Sequence, residues 1–306
     1  MKRASSSLAR ILQCATLLLL AGAIAWLAWY RNRSPWLAGA GFAAIAAAYS
    51  GALAFEFLAL RRVNRSDPVP QAGWATLARA WLAETLQAPR VFGWRQPFRW
   101  NAVADHLPAV PESGGRRGIV FVHGFICNRG FWTPWLRQVR RRGHPFAAVN
   151  LEPVFGSIDD YVAIIERAVT AVTLSSGLPP ILVCHSMGGL AARAWLRAGP
   201  HARRVHRVVT IGTPHQGTWL ARSSRSKNGR QMAQGSTWLR QLEADSASLP
   251  QPPFTCWYSN CDNVVFPSST ATLSGAQNLL VVGAAHVDLA FHPRVMAQTM
   301  ALLDRL

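Results

Sequence analysis

The sequence predicts an α/β fold with a mostly parallel central sheet covered by helices, preceded by two transmembrane helices. Two observations support this prediction. From residue 118 onward, short apolar runs alternate with helical patterns, as expected for strands that are buried between two layers of helices. Before them lie two long apolar runs, at about 11–30 and 36–60, and about 20 residues suffice to cross about 30 Å of hydrocarbon.

The 306 residues are basic and rich in apolar side chains. Lys and Arg number 32 against 14 Asp and Glu, and half of the chain is hydrophobic. A basic excess suits either nucleic acid or an anionic membrane surface. We expect no nucleic-acid partner, because the chain carries no helix-turn-helix, zinc-finger or RNA-binding signature. Membrane lipids are the predicted partners, and protein partners are left open.

No cofactor or metal site is predicted. The five cysteines have neither the spacing of a disulfide framework nor that of a metal site. Free thiols are expected, with pairing of Cys256 and Cys261 as the alternative in an oxidising compartment. The G-x-G-x-x-G and Walker patterns are missing, so nucleotide binding has no support. A structural calcium ion is left open.

Residues 1–65 are predicted to be a membrane anchor that forms a helical hairpin. Only "RNRSP" separates the two apolar runs, and basic residues flank the hairpin at both ends. The positive-inside rule therefore places both ends in the cytoplasm. A cleaved signal peptide is the alternative, which the second apolar run disfavours. Glu56, the single charge in the second run, is expected to reach the interface near Arg61.

Residues 66–117 are predicted to be an amphipathic and linker segment. Apolar positions from Trp74 to Leu86 approximate helical spacing, and "RVFGWRQPFRW" interleaves arginine with aromatic residues. Two interpretations stay open: aromatic side chains inserted among lipid headgroups, or a helix packed on the following domain. The sequence "AVPESGGRRG" then indicates a linker.

Residues 118–306 are predicted to form one domain of alternating strands and helices. Strands are expected at "GIVFVHG", "FAAVNL", "PILVCH", "RVVTIGTP", "FTCWYS" and "NLLVVG". Helices are expected at "WTPWLRQVRRRG", residues 159–175, "MGGLAARAWLRAG" and a single closing "DLAFHPRVMAQTMALLDRL". Residues 217–250 interrupt the alternation and are predicted to form a lid; a surface excursion with one packed helix is the alternative.

Ser186, in "VCHSMGGL", is the candidate nucleophile. It lies where a strand ends and a helix begins, and a sharp turn at such a place projects the hydroxyl outward. Gly188 and Gly189 allow the backbones to approach closely at this turn. Cys184 stands where the full G-x-S-x-G pattern has a glycine, and it is expected to be a small buried residue rather than a nucleophile. An N-cap serine is the structural alternative for Ser186.

A serine nucleophile needs a base and an acid that orients the base. Polar groups at the carboxyl ends of parallel strands converge at one edge of the sheet. Asp262 follows "FTCWYS" and His286 follows "NLLVVGAA", so we predict these two as the acid and the base. The backbone N–H groups of Phe125, in "HGF", and Met187 are predicted to form an oxyanion hole. His123 and His215 are expected to be structural.

Six motifs occur in an order that resembles bacterial α/β-hydrolase lipases and esterases, including relatives of the triacylglycerol lipases. They are "FVHGF", "HSMGGLAAR", "IGTPHQGT", "RQMAQGSTWLRQL", "DNVVFP" and "GAAHVDL". The resemblance covers residues 118–306 and implies an α/β-hydrolase fold. It also implies Ser186 as nucleophile, Asp262 as acid, His286 as base, and Phe125 and Met187 as oxyanion donors. The N-terminal hairpin lies outside the common pattern.

The predicted function is a membrane-anchored serine hydrolase that cleaves carboxylic esters, with a lipid or small-molecule ester as substrate. The predicted location is the bacterial inner (cytoplasmic) membrane, as a multi-pass protein with its catalytic domain in the cytoplasm. Two alternatives are left open. One is an acyltransferase or thioesterase that uses the same triad. The other is a non-enzymatic membrane scaffold or transport-associated protein with a decayed hydrolase domain.

Overall fold

One parallel sheet organises the C-terminal two-thirds of the chain. The structure is a computed structural model, and it describes residues 6–109 and 115–304. The strands are β1 Ile119–Val122, β2 Phe146–Ala148, β3 Ile181–His185, β4 Arg207–Ile211, β5 Phe254–Ser259 and β6 Gln277–Val281. Their order is β2-β1-β3-β4-β5-β6, and every neighbouring pair is parallel. The predicted fold class is confirmed, and all six carboxyl ends lie along one edge.

Helices cover both faces of the sheet. In chain order, the helices of the domain are α5 Thr133–Arg141, α6 Val162–Ser176, α7 Met187–Arg197, α8 Lys227–Gln231, α9 Thr237–Ala247, α10 His286–Phe291 and α11 Pro293–Ala301. Successive strand residues point to opposite faces. Val120 and Leu182 pack with α6 and α7, whereas Phe121 and Val183 pack with α5, α10 and α11. Both faces are apolar, which explains the continuous apolar runs.

The closing helix is interrupted, and the prediction of a single helix was wrong. It divides into α10 and α11 at His292, whose backbone is extended with a ψ of 130°. The residue before a proline is disfavoured in the helical region, and Pro293 has no N–H to donate. His292 also caps α11, because its Nδ1 accepts a hydrogen bond from the Arg294 amide at 3.3 Å.

The N-terminal hairpin consists of α1 Ser7–Tyr30 and α2 Pro35–Val63. Both helices are long and apolar enough to cross a membrane. Their most apolar windows are 0% and 17% buried, respectively, whereas the core helix of a soluble protein would be mostly buried. Ser6 and Ser34 cap the two helices, each accepting a hydrogen bond from a backbone amide in the first turn. By composition and exposure, these helices are candidate membrane spans.

The segment between the hairpin and β1 is helical over much of its length. Helix α3 Trp74–Ala88 continues through a π-helical turn, Pro89–Arg95, into α4 Gln96–Phe98. One face of α3 is buried through Leu77, Ala80 and Glu84. The other side of this segment exposes four large apolar side chains, Trp74, Leu82, Leu86 and Trp94. The segment therefore packs on the domain that follows it and still presents an apolar surface to the surroundings.

Residues 217–250 contain a 3-10 turn followed by α8 and α9. Leu239 and Leu242 of α9 are buried in the core beside α7. Glu243 pairs with the buried guanidinium of Arg193 at 2.5 Å. Helix α9 is thus packed on the domain, and a lid formed by residues 217–250 stays a prediction.

Candidate active site

Ser186 lies on a strained turn at the carboxyl end of β3. Its backbone angles are φ 52° and ψ −129°, which a residue other than glycine rarely adopts. The end of β4 holds the turn on both sides. The Ser186 amide donates to the Ile211 carbonyl at 2.9 Å, and the hydroxyl of Thr213 donates to the Ser186 carbonyl at 2.8 Å. The strand-to-helix turn predicted from the sequence is therefore present.

The close packing around Ser186 leaves room only for small residues. A Cβ on Gly188 would collide with the carbonyl oxygens of Val122 and His123, and a Cβ on Gly189 would collide with the side chain of Thr213. A Cβ on Gly124 would lie 2.8 Å from the Cβ of Ser186. At each of these three glycines, the backbone lies directly against another backbone segment or a side chain. Only glycine fits there without a shift of these neighbours.

Cys184 is an interior residue of β3. It is fully buried and lies in register with Val122 of β1 and Thr210 of β4. Burial raises the pKa of its thiol, so the thiolate form that would attack a substrate is suppressed. The residue that replaces the first glycine of the motif is therefore a strand side chain. All five cysteines are free, Cys256 and Cys261 included.

Asp262 and His286 form a buried pair. Nδ1 of His286 lies 2.9 Å from both carboxylate oxygens of Asp262. The amides of Val264 and Val265 donate to the same carboxylate at 3.0 and 2.8 Å, which fixes its orientation. Because the carboxylate accepts, Nδ1 carries the proton and Nε2 of the neutral ring is left as the acceptor. This is the tautomer that a general base requires.

The end of β4 brings the serine and the acid–base pair together. Ile211 binds the Ser186 amide, and the next residue, Gly212, contacts the pair. A Cβ on Gly212 would lie 2.9 Å from Oδ2 of Asp262 and 3.2 Å from Nδ1 of His286. The three residues that the sequence predicted as a site, 24 to 100 positions apart along the chain, therefore lie at the same edge of the sheet.

His185 supports His286 from the serine side. Their rings lie 4.6 Å apart, and Nε2 of His185 is 3.2 Å from the backbone carbonyl of His286, to which it donates. Phe131 stacks on the other side of the His185 ring at 4.5 Å. Burial and the charge of His286 hold the pKa of His185 well below its usual value, so this ring stays neutral.

The pKa of His286 lies above its ordinary value. Burial alone would lower it, because the charged ring loses hydration. The charge and hydrogen bond of Asp262 outweigh that effect, and two further carboxylates, Glu84 and Glu56, act in the same direction. The site thus favours the imidazolium that forms when the ring takes a proton.

Phe125 and Met187 both lie close to the Ser186 turn. Met187 is the first residue of α7, so its amide has no partner within the helix. Phe125 follows Gly124, which contacts Ser186, and its ring packs against Phe155 at 5.8 Å. This placement is compatible with the predicted oxyanion role, which stays a prediction.

His123 holds the Phe125 loop rather than serving as a base. Its Nδ1 donates to the Gly124 carbonyl at 2.9 Å, and its Nε2 accepts from the Leu151 amide at 3.0 Å. Burial lowers the pKa of His123 to about 4. Both ring nitrogens are occupied, so this histidine has a structural role, as the sequence predicted.

Three residues near His286 were not predicted from the sequence. The Asn263 side chain accepts from the His286 amide at 3.1 Å and donates to Oε2 of Glu56 at 2.7 Å. Glu84 is 2% exposed and accepts from the amides that follow His286. Glu56, which was expected to reach the interface near Arg61, binds Asn263 of the domain. The sequence did hold a signal for Asn263, because this residue directly follows the predicted acid, Asp262.

Metal-ligating side chains are dispersed over the chain. Within residues 6–109 and 115–304, no three His, Cys, Asp or Glu residues group in a way that could hold a metal ion.

Comparisons with known proteins identify the family and the fold. Residues 119–300 match the family model described as "Alpha/beta hydrolase family". The lipase BlEst2 of Bacillus licheniformis in its mature form superposes with a TM-score of 0.56 at 20% identity, covering 65% of this chain and 95% of the lipase. Aspergillus fumigatus lipase B superposes with a TM-score of 0.56 at 17% identity, covering 66% and 56%. These structures share the fold. A search of curated protein sequences gave no significant match.

Proposed function

This chain belongs to the alpha/beta hydrolase family, and we propose that it is a membrane-anchored serine hydrolase that cleaves carboxylic esters of lipids. The observation that carries the proposal is the buried pair of Asp262 and His286 beside the strained turn of Ser186. A nucleophile, a base and an orienting acid at one strand edge are what acyl transfer to water requires.

The proposed reaction has two halves. In the first, Nε2 of His286 takes the proton of Ser186 as its Oγ attacks the ester carbonyl carbon, and the oxyanion accepts hydrogen bonds from the amides of Phe125 and Met187. The intermediate collapses, and the alcohol leaves with the proton from His286. In the second half, water gives its proton to His286 and attacks the acyl-enzyme, which releases the carboxylic acid and restores Ser186.

The attachment of the hairpin supports a lipid substrate. The start of α1 binds the segment after β2, where Ser7 donates to Glu152 at 2.7 Å. The end of α2 binds the segment after β5, where the side chain of Asn64 donates to the hydroxyl of Ser268 at 2.8 Å. Both attachments lie on the carboxyl side of the strands, as Ser186 does. We therefore infer that the catalytic edge faces the bilayer.

The exposed apolar side chains of α3 and the turn after it fit this orientation. Trp74, Leu82, Leu86 and Trp94 are each more than half exposed. Arg61 lies over the Trp74 ring at 4.0 Å, and aromatic and basic side chains together favour the headgroup region. A hydrolase held in this way meets esters that lie in the membrane.

The proposed location is the bacterial inner membrane, with both hairpin ends and the hydrolase domain in the cytoplasm. The basic residues at the two ends, Arg10 on one side and Arg61, Arg62 and Arg65 on the other, support this side. Enzymatic activity of an alkaline phosphatase fused after Arg65 would contradict it.

We test the proposed function by a chain-length profile. The full-length protein is assayed in detergent and in phospholipid vesicles with p-nitrophenyl esters from butyrate to palmitate, and with a diacylglycerol dispersed in the bilayer. We expect ester cleavage, with the long-chain and bilayer substrates favoured about tenfold or more in vesicles, because apolar chains partition at about 0.8 kcal/mol per CH₂. The Ser186→Ala variant is the matched control. Absence of ester cleavage in both settings, or acyl transfer to an added alcohol in place of free acid, would contradict hydrolysis.

A further inference from the structure

Glu84 lies directly behind the proposed catalytic histidine. It belongs to α3, 202 residues before His286, and it is 2% exposed. Its carboxylate accepts from the amide of Val287 at 3.2 Å and from that of Asp288 at 3.3 Å. These amides open α10, and the first N–H groups of a helix have no partner within it. Glu84 therefore binds the backbone that carries His286.

Four side chains fix His286, and two of them depend on the N-terminal third of the chain. Asp262 binds its ring, and His185 binds its carbonyl. Asn263 binds its amide and is itself held by Glu56 of α2. Glu84 holds the next two amides. The match to the family model begins only at residue 119, so Glu56 and Glu84 lie outside the shared domain.

We propose that Glu84 is a positioning residue for His286: its carboxylate fixes the start of α10 and stabilises the imidazolium that forms during catalysis. This inference rests on the proposed function. A carboxyl group that stayed neutral could cap α10 and stabilise the fold without changing the proton affinity of the ring. The two roles therefore differ in pH dependence, and that difference decides between them.

Several charged or titratable groups face the His286 ring. They are Asp262 after β5, Glu56 on α2, Glu84 on α3 and His185 at the end of β3. Asp288 lies on the helix of His286 itself, two residues farther along. Burial raises the pKa of Glu84 to about 7, while the charge of His286 and the two amide bonds oppose that shift. Ionised Glu84 favours protonated His286, so loss of its charge lowers the pKa of His286.

The test is Glu84→Gln in the full-length protein, assayed with p-nitrophenyl butyrate across the pH range. The base must be neutral to act, so kcat/KM rises as pH passes the pKa of His286 in the free enzyme. We expect this acidic limb to move to lower pH, because the variant lacks the carboxylate charge that favours protonated His286. We also expect kcat to fall about tenfold with KM little changed, because a base held less firmly and with lower proton affinity transfers protons less well.

Glu166→Gln is the matched control. Glu166 is a hydrogen-bonded carboxylate on α6, paired with Arg204 at 2.6 Å and remote from His286. Its loss should leave the acidic limb in place. An unchanged acidic limb in Glu84→Gln, with or without lower kcat, would reduce Glu84 to a structural cap and overturn the proposal.

If Glu84→Gln fails to fold, Glu84→Asp replaces it, since the shorter side chain holds the charge farther from His286. The acidic limb of the Glu84→Asp profile should move to lower pH, but by less than that of Glu84→Gln would. An acidic limb at the wild-type pH would overturn the proposal.

The outcome is separable from that of the proposed function. If Ser186→Ala abolishes cleavage while Glu84→Gln keeps the wild-type limb, only the role of Glu84 fails. If Ser186→Ala retains activity, the proposed function fails, whatever Glu84 does.

Discussion

Replacement of Ser186 by alanine should remove ester hydrolysis, with kcat for p-nitrophenyl butyrate lower by at least about 10³-fold. The hydroxyl oxygen of Ser186 is the atom that attacks the carbonyl, and neither of the two preceding side chains can replace it. Cys184 points into the core from β3, and the ring of His185 is bound to the His286 carbonyl. The fold should persist, because the turn is held by backbone groups and Thr213. Melting temperatures measured by circular dichroism check this.

Ser175→Ala is the matched control for that variant. Ser175 is also 6% exposed, and its hydroxyl donates to the Pro108 carbonyl at 2.6 Å, away from the catalytic edge. Its loss should change stability by about 1 kcal/mol and leave kcat near that of the wild type. Residual activity of more than a few per cent in Ser186→Ala, or an equal loss in Ser175→Ala, would show that the hydroxyl of Ser186 is not the nucleophile.

Replacement of Asp262 by asparagine should lower kcat by about 10³- to 10⁴-fold while the protein stays folded. The amides of Val264 and Val265 require an acceptor, so the asparagine oxygen turns to them and its NH₂ faces Nδ1 of His286. Nδ1 must then accept, and the ring proton moves to Nε2. A ring that is protonated at Nε2 cannot take the proton of Ser186.

The same assay distinguishes this change of tautomer from a general loss of charge. Asp288→Asn removes a half-buried carboxylate from α10 that makes no hydrogen bond to the His286 ring. We expect the kcat of Asp288→Asn to stay within about tenfold of the wild-type value. This substitution removes a nearby charge but leaves the proton of the His286 ring on Nδ1. An Asp262→Asn variant as active as Asp288→Asn would contradict the assignment of Asp262 as the orienting acid.

The sheet and the positions of Ser186, Asp262 and His286 at its edge were predictable because local signals agreed with the topology. Ser186, Asp262 and His286 each follow a short apolar run, and in a parallel sheet the ends of such runs share one edge. The interruption after α10 had a signal too, since Pro293 disfavours a helical His292. The prediction of a single helix followed the helical pattern of the residues on both sides and did not use this rule.

The contribution of the N-terminal helices was not predictable in the same way. Glu84 lies on the face of α3 that carries Leu77 and Ala80, seven and four residues after them, so the helical pattern places a carboxylate among apolar positions. The pattern does not say which distant amides would bind it. Contacts across about 200 residues, such as those of Glu56 and Glu84, come from tertiary packing that local periodicity does not encode.

Covalent labelling tests the central claim most directly. The folded full-length protein, in vesicles, is treated with a fluorophosphonate probe, and the adduct is located by mass spectrometry of peptides. We predict one adduct, on Ser186, that is absent from Ser186→Ala and forms much more slowly in Asp262→Asn. A folded protein that remains unlabelled, or an adduct on another residue that persists in Ser186→Ala, would contradict a serine hydrolase built on Ser186, Asp262 and His286.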